Sequence, residues 1–413
     1  MKETVRAFFA ANRARIEEMV VEITGKLVAA PTVNAGASRL KEFPYLKVPG
    51  QERLAADVVI EYFRKWGIPV SVHEGAPMRT NVFANLFAGR PVLMMGCHLD
   101  VVPPGDGWDS KPFEMVRKGN LLYGRGVLDN KGPMAASMVA AWMLKESGVT
   151  LNGTFQVAGI ASEEFREAGE MDPGLEYLLK EGILKPDMAV IPDIGENMKR
   201  IDIAEKGRAE YRIVTRGKQA HGSTPERGIN AVDMMARVLT AVEALELPHT
   251  VHPVLGAPTK NLGIVRGGNA ANNVPAECEA ILDVRYVPGQ TAEGVRDLLL
   301  ATARGVVGPY CTEPGIGVEV ALSTATVPHS IPADHALVKA VQASVQDAVG
   351  FTPEPFGIGG GTFAKAFNLA GIPSVGFGPG ADDQFHVVNE NIEVEELVQF
   401  SLVAALIACD LLA

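Results

Sequence analysis

The chain has 413 residues, a formal net charge of −11, and 47% hydrophobic against 21% charged residues. That length suits two or three domains of ordinary size, and the acidic balance gives a nucleic-acid role no electrostatic support. Four scattered cysteines, Cys97, Cys278, Cys311 and Cys409, lack any CxxC spacing, which argues against a disulfide scaffold or a zinc ribbon and fits a reducing compartment.

Val5, Phe8, Ile16, Met19, Val20 and Ile23 recur at helical spacing, so the first 27 residues read as an amphipathic helix. Charges run through it, unlike the core of a signal peptide. "RLAADVVIEYFRKWG" reads as a helix stopped by Gly67, and "NVFANLFAG" and "PVLMMGCHL" as strands. "NKGPMAASMVAAWMLKESG" reads as a helix with Asn130 as its cap, Pro133 in its first turn and Gly148 at its end. "TFQVAGIA" and "DMAVIP" are further strands, with the helix "GLEYLLKEGI" between them. Continuous apolar strands separated by helices imply an α/β domain with a mainly parallel sheet covered on both faces.

The pattern changes near Arg208. "RAEYRIVTRG" alternates, and a helix, two strands, a helix and the strand "GVEVALST" follow. That order is the ferredoxin-like split pattern. "HALVKAVQASVQDAVG", "SVGFGPG" and the last helix return to the first style. The expectation is a larger α/β domain of residues 1–204 and 325–413, interrupted by an inserted α+β domain of residues 205–324. No apolar run reaches the length of a membrane span, and "LVQFSLVAALIACDLLA" reads as a docked core helix. A soluble, cytoplasmic protein is expected, with no membrane partner.

Polar residues gather where the apolar strands end. His98 and Asp100 follow "PVLMMGC", Glu163 and Glu164 follow "TFQVAGIAS", and Asp193 follows "DMAVIP". Asp129 precedes a helix, and His386 follows "SVGFGPGADDQF". In an open α/β sheet the carboxyl ends of the strands share one crevice. Taken singly, each residue has an ordinary explanation as a cap, a turn residue or a hydrogen-bonded histidine. Together, several carboxylates in one place need protons or cations. Two imidazoles with three or four carboxylates form a ligand set for a pair of zinc-like divalent ions.

The stretches "GCHLDVVPPGDGWDSKPFEMV", "YGRGVLDNKGPMAA", "ASEE", "KQAHGSTPERGINAV", "GGNAANNVPAECEAILDVRY" and "GGGTFAKAF" resemble the zinc amidohydrolase family. That family includes acetylornithine deacetylase, succinyl-diaminopimelate desuccinylase, aminoacylase, carboxypeptidase G and the carnosinase-type dipeptidases. The resemblance runs from about residue 50 to the C-terminus. It implies that His98 and Asp193 bind one metal, Glu164 and His386 a second, and that Asp129 bridges them. Glu163 would be the general base, and Asp100 would accept the second ring N–H of His98. Family members often carry Glu where Asp193 stands, which makes Glu196 the alternative ligand; Asp193 is preferred because it ends its strand directly. Zinc is the default metal, and cobalt or manganese could fill the same ligands.

The resemblance further implies that His221, in "AHGSTPERG", stabilises the oxyanion from the other subunit of a homodimer formed through the inserted lid/dimerisation domain. Asn272 and Arg285 match substrate-binding positions, though an ion pair within its strand would equally explain Arg285. Gly359, Gly360, Gly361 and Thr362 match a backbone loop that cradles a substrate carboxylate. "GWDSKPF" with "DNKGP" looks like the dipeptidase branch, and "GGNAANNVPAECEAILDVRY" like the deacylases. The expected substrate is a small carboxylate-bearing amide, an N-acyl amino acid or a dipeptide. The alternatives are a two-metal hydrolase of another bond class and a binding protein on the same fold.

Overall fold

In the run "VLMMGCH" every residue after Val92 is buried, so this strand lies inside a covered sheet. The computed structural model describes residues 1–165 and 171–413. The chain divides into two units: Met1–Ile203 with Ile331–Phe356 and Thr362–Ala413, and Ala204–Ser330 with Gly357–Gly361. Its main strands, in chain order, begin with β1 (Val70–Ala76), β2 (Arg79–Leu86), β3 (Val92–His98), β4 (Thr154–Ile160), β5 (Met188–Ile191) and β6 (Arg200–Glu205). They continue with β7 (Gly207–Arg216), β8 (Thr259–Gly267), β9 (Glu277–Tyr286), β10 (Gly317–Thr326) and β11 (Ser374–Gly376). The helices are α1 (Lys2–Val28), α2 (Arg53–Lys65), α3 (Lys131–Glu146), α4 (Leu175–Lys180) and α5 (Ala231–Ala244). After them come α6 (Ala292–Val307), α7 (Ala336–Val349), α8 (Phe363–Leu369) and α9 (Val394–Leu412).

The sheet of the first unit runs β1-β2-β4-β3-β5-β11-β6. Its centre is parallel, pairing β4 with β3, β3 with β5 and β5 with β11. Its flanks turn antiparallel at β1–β2, β2–β4 and β11–β6. The mainly parallel α/β reading therefore holds, with an antiparallel edge at each side. On one face α3 is buried from Lys131 to Leu144, and α9 buries most of its apolar length, so the C-terminal apolar run is a core helix as expected. Among the described residues no helix is long and apolar enough to cross a membrane. Gly132 lets α3 begin tight against the preceding loop: a Cβ there would lie 2.0 Å from the carbonyl oxygen of Val127.

The second unit is an antiparallel sheet in the order β8-β9-β7-β10, carrying α5 and α6. Alternation explains it. Ala209, Tyr211 and Ile213 of β7 and Cys278, Ala280, Leu282 and Val284 of β9 point to a core shared with Met234, Val238, Val295 and Leu299. The intervening residues form cross-strand ion pairs, Arg208–Asp283 at 2.6 Å and Arg212–Glu279 at 2.5 Å. The element order β-α-β-β-α-β matches the ferredoxin-like expectation.

Candidate metal centre and active site

The parallel strands deliver their polar ends to one place. His98 is the last residue of β3, and its Nε2 lies 2.8 Å from Asp129 Oδ1 and 3.5 Å from Asp193 Oδ1. His386, in the loop before α9, places Nε2 3.0 Å from Asp129 Oδ2 and 3.1 Å from Glu164 Oε2. Asp129 therefore faces one imidazole with each oxygen. Donor atoms of His98, Asp129 and Glu164 lie within 4.8 Å of one another, and so do those of His98, Glu163 and Asp193. The Glu196 carboxylate is engaged elsewhere, its Oε2 accepting from the amide of Asp382 at 3.4 Å. Ser162 (φ 65) and His386 (φ 62) hold left-handed backbone without being glycine, the kind of local strain that clusters at working sites.

Asp100 does more than sit behind His98. The ring Nδ1 lies 3.0 Å from the backbone carbonyl of Asp100 and 3.6 Å from its carboxylate. The closer acceptor is thus the carbonyl, because the carboxylate is engaged by three other donors. Oδ1 accepts from the amide of Glu163 at 3.1 Å, and Oδ2 from the amide of Glu164 at 3.1 Å and Asn34 Nδ2 at 2.9 Å. In the neutral ring, a proton on Nδ1 leaves Nε2 as the lone-pair nitrogen that could ligate a metal. One carboxylate thereby fixes the backbone of both glutamates.

The loop before α3 has its own brace. Asn130, expected as the helix cap, makes no capping bond; its Nδ2 reaches Pro192 O at 2.7 Å and Asp193 Oδ1 at 3.3 Å. The carbonyl of Gly126 serves the first amides instead, accepting from Lys131 at 2.9 Å and Gly132 at 3.3 Å. Glu390, fully buried, accepts from the amides of Leu128 at 2.8 Å and Asp129 at 3.1 Å, and pairs with Arg125 Nη1 at 2.6 Å. Arg125 Nη2 in turn donates to the carbonyl of His386 at 3.4 Å. One buried ion pair thus holds the backbone of both Asp129 and His386. Glu390→Gln is expected to retain its far-UV circular dichroism while losing about 10- to 100-fold in divalent-metal affinity by calorimetric titration. Unchanged affinity would show that the pair does not set the position of Asp129.

Electrostatics suit the site to cations. Burial, with the charges of Asp193 and Glu164 behind it, pushes Glu163 well above the usual carboxylate range. Burial and the Asp129 charge push Glu164 up to about 8. Hydrogen bonds to Asp129 and Glu164 push His386 up to about 10. Burial works against the protonated form of His98, but its bonds to Asp100, Asp129 and Asp193 outweigh that and hold it well above the ordinary imidazole value. Glu163 and Glu164 driven toward neutrality, and imidazoles driven toward charge while Asp129 stays ionised, answer a local deficit of positive charge, which divalent ions would supply. Glu164 Oε1 is buried with no hydrogen-bond partner among the described residues, an oxygen left free to ligate. The residues present fit a nitrogen- and oxygen-ligated metal centre.

Of the remaining expected site residues, Thr362 lines a cavity together with Glu163, and the others lie in the second unit. His221 is exposed in the second unit, and its Nδ1 accepts from the amide of Ser223 at 3.1 Å. Asn272, also exposed there, offers its carbonyl to the amide of Gly222 at 2.7 Å. Arg285 pairs with Asp283 at 2.8 Å and donates to the carbonyl of Gly359 at 2.8 Å, so both readings of that arginine start from an occupied guanidinium. Gly360 and Gly361 are exposed, and Thr362 caps α8 by accepting from the amide of Ala364 at 3.1 Å. Sequence reasoning missed Asn34, Arg125, Asn130 as a brace, and Glu390.

Imidazoles and carboxylates gathered at the carboxyl ends of parallel strands make the kind of site in which metal-dependent hydrolases work. The profile of peptidase family M20/M25/M40 matches residues 94–409, and the chain belongs to that family. It is therefore an enzyme of a metal-dependent family acting on amide and peptide bonds. It is 30% identical over 386 residues to acetylornithine deacetylase of Klebsiella pneumoniae (strain 342), covering 90% of this chain and 92% of that one. It is 32% identical over 333 residues to succinyl-diaminopimelate desuccinylase of Gluconacetobacter diazotrophicus, covering 79% and 82%. The fold matches that of Bacillus subtilis YxeP, described as a dinuclear metal-binding peptidase of the M20 family. There the TM-score is 0.69 at 15% identity, over 96% of this chain and 99% of that one.

Proposed function

We propose that the chain is a dinuclear metal hydrolase of amide bonds in small carboxylate-bearing substrates, N-acyl amino acids or dipeptides. The observation that carries this reading is the double engagement of Asp129, one oxygen toward each imidazole. His98, Asp129 and Asp193 would hold one divalent ion, and Asp129, Glu164 and His386 the other, zinc by default. The bound ions supply polarisation of the amide carbonyl and a water acidified toward neutral pH. Glu163 is the acid of this cluster, among the described residues, to which neither imidazole bonds. Its carboxylate takes the proton from the attacking water and hands it to the leaving nitrogen. Asp100 keeps Glu163 and Glu164 in register through their amides.

The deacetylase and desuccinylase relatives both remove an acyl group from an amine, which makes N-acyl amino acids the first substrates to try. Amine release by metal-reconstituted protein from a panel of N-acyl amino acids and dipeptides tests the reading. Turnover of a phosphate ester with no amide hydrolysed would sink it.

His221 is the oxyanion donor of this proposal, acting across a homodimer. Because Ser223 donates to its Nδ1, the ring proton of the neutral imidazole sits on Nε2, ready to donate. β8 is an edge strand with exposed Leu262, Ile264 and Val265, a surface suited to pairing with a second copy. The four free cysteines support a cytoplasmic setting. His221→Ala should lower kcat by about a hundredfold or more with metal content unchanged. Co-expressed with Glu163→Ala, it should regain activity, since a mixed dimer holds one site with both native groups. No recovery in purified mixed dimers would place His221 within its own chain's site or outside catalysis.

A further inference from the structure

Beside the acid cluster lies a cavity of about 730 Å³, within the range of small-molecule pockets. Glu163 lines it, together with Leu175 and Leu179 of α4 and Phe363, Ala366 and Leu369 of α8. Leu175 and Phe363 are buried in the core that α4 and α8 share, while Leu179 and Ala366 pack only partly against that core. Leu369 is 52% exposed. Two helices seated on one core therefore leave a mainly apolar hollow open between them, which Glu163 borders and Ser162, Asp172, Glu176, Lys180 and Thr362 also line. Such a surface gains when an apolar group covers it.

We propose that this cavity receives the apolar side chain of the residue released as free amine, which makes the enzyme selective for large aliphatic or aromatic residues on the leaving side. The inference rests on the amide-hydrolase reading above. Glu163 hands its proton to the leaving nitrogen, so the space that Glu163 lines borders what that nitrogen carries. A volume of about 730 Å³ exceeds what an acetyl or glycyl fragment fills, and the lining helices offer mostly leucine, phenylalanine and alanine. Ala366 and Leu179 are specificity residues here, without contact to the reacting atoms.

The test uses the metal-reconstituted enzyme and N-acetylated glycine, alanine, leucine and phenylalanine. kcat/KM should climb from alanine to leucine by tenfold or more, at about fourfold for each methylene buried. Ala366→Trp, which fills the hollow, should erase that climb and leave N-acetylalanine within about twofold. Should this variant melt early, Leu179→Gln reads the same wall from the other helix. A flat wild-type profile, an intact leucine preference in the variants, or a change seen only along an acyl-length series on alanine would overturn the proposal. Calorimetric binding of free leucine against free glycine reads the cavity apart from turnover. Leucine preference lost in Ala366→Trp, with no amide hydrolysed, would topple the hydrolase reading and leave the cavity assignment standing. Hydrolysis without any leucine preference would do the reverse.

Discussion

Glu163→Ala should lower kcat by about 10²- to 10⁴-fold while both metal ions stay bound. The expectation follows from its place. Its amide is pinned by Asp100 Oδ1 at 3.1 Å, and its side chain stands in the group formed with His98 and Asp193. Burial and neighbouring acids raise its affinity for a proton, so it takes one from the attacking water more readily than an exposed glutamate would. Metal content by elemental analysis, set against kcat on a confirmed substrate, separates the outcomes. Loss of one ion per chain would make Glu163 a ligand; unaltered kcat would remove it from the reaction.

Asp129→Ala should cost both ions and all measurable turnover. Its two oxygens engage His98 and His386 separately, at 2.8 and 3.0 Å, so a single truncation takes a donor from each half of the site. The same truncation leaves His386, Glu164 and Asp193 without the group between them. The backbone there should hold, since Glu390 grips the amide of Asp129 and not its side chain. Calorimetric titration with zinc and a thermal melt check this together. Two ions bound per chain at native affinity would contradict the bridging role.

Much of this arrangement is legible in the sequence, for a physical reason. A buried parallel strand is apolar to its end, so a polar residue at that end marks the crevice; His98 after β3 and Glu163 with Glu164 after β4 stand out this way. β1 was not anticipated: "VSVHEGA" is partly exposed at a sheet edge and carries no continuous apolar run. Asn130 misled because an asparagine before a helix is ordinarily its cap. Here the Gly126 carbonyl had already taken the first helical amides, freeing the Asn130 side chain to hold Asp193. Asn34 and Glu390 were invisible for another reason. Each does its work through a partner far along the chain, and periodicity speaks only of neighbours.

That distance has a consequence for the order of events in folding. The Arg125–Glu390 pair closes a loop whose ends lie 265 positions apart, and the whole ferredoxin-like unit is strung inside that loop. Such a closure is entropically costly and becomes favourable only once the intervening chain has condensed. The segment carrying Asp129 is therefore among the last to set during refolding, though it was among the first to be synthesised. In the folded chain the amides of Leu128 and Asp129 are held by a carboxylate buried far along the sequence. Amide exchange at Leu128 and Asp129, both bonded to Glu390, should accordingly proceed at the rate of global unfolding, whereas faster exchange there would reveal a hinge in the loop.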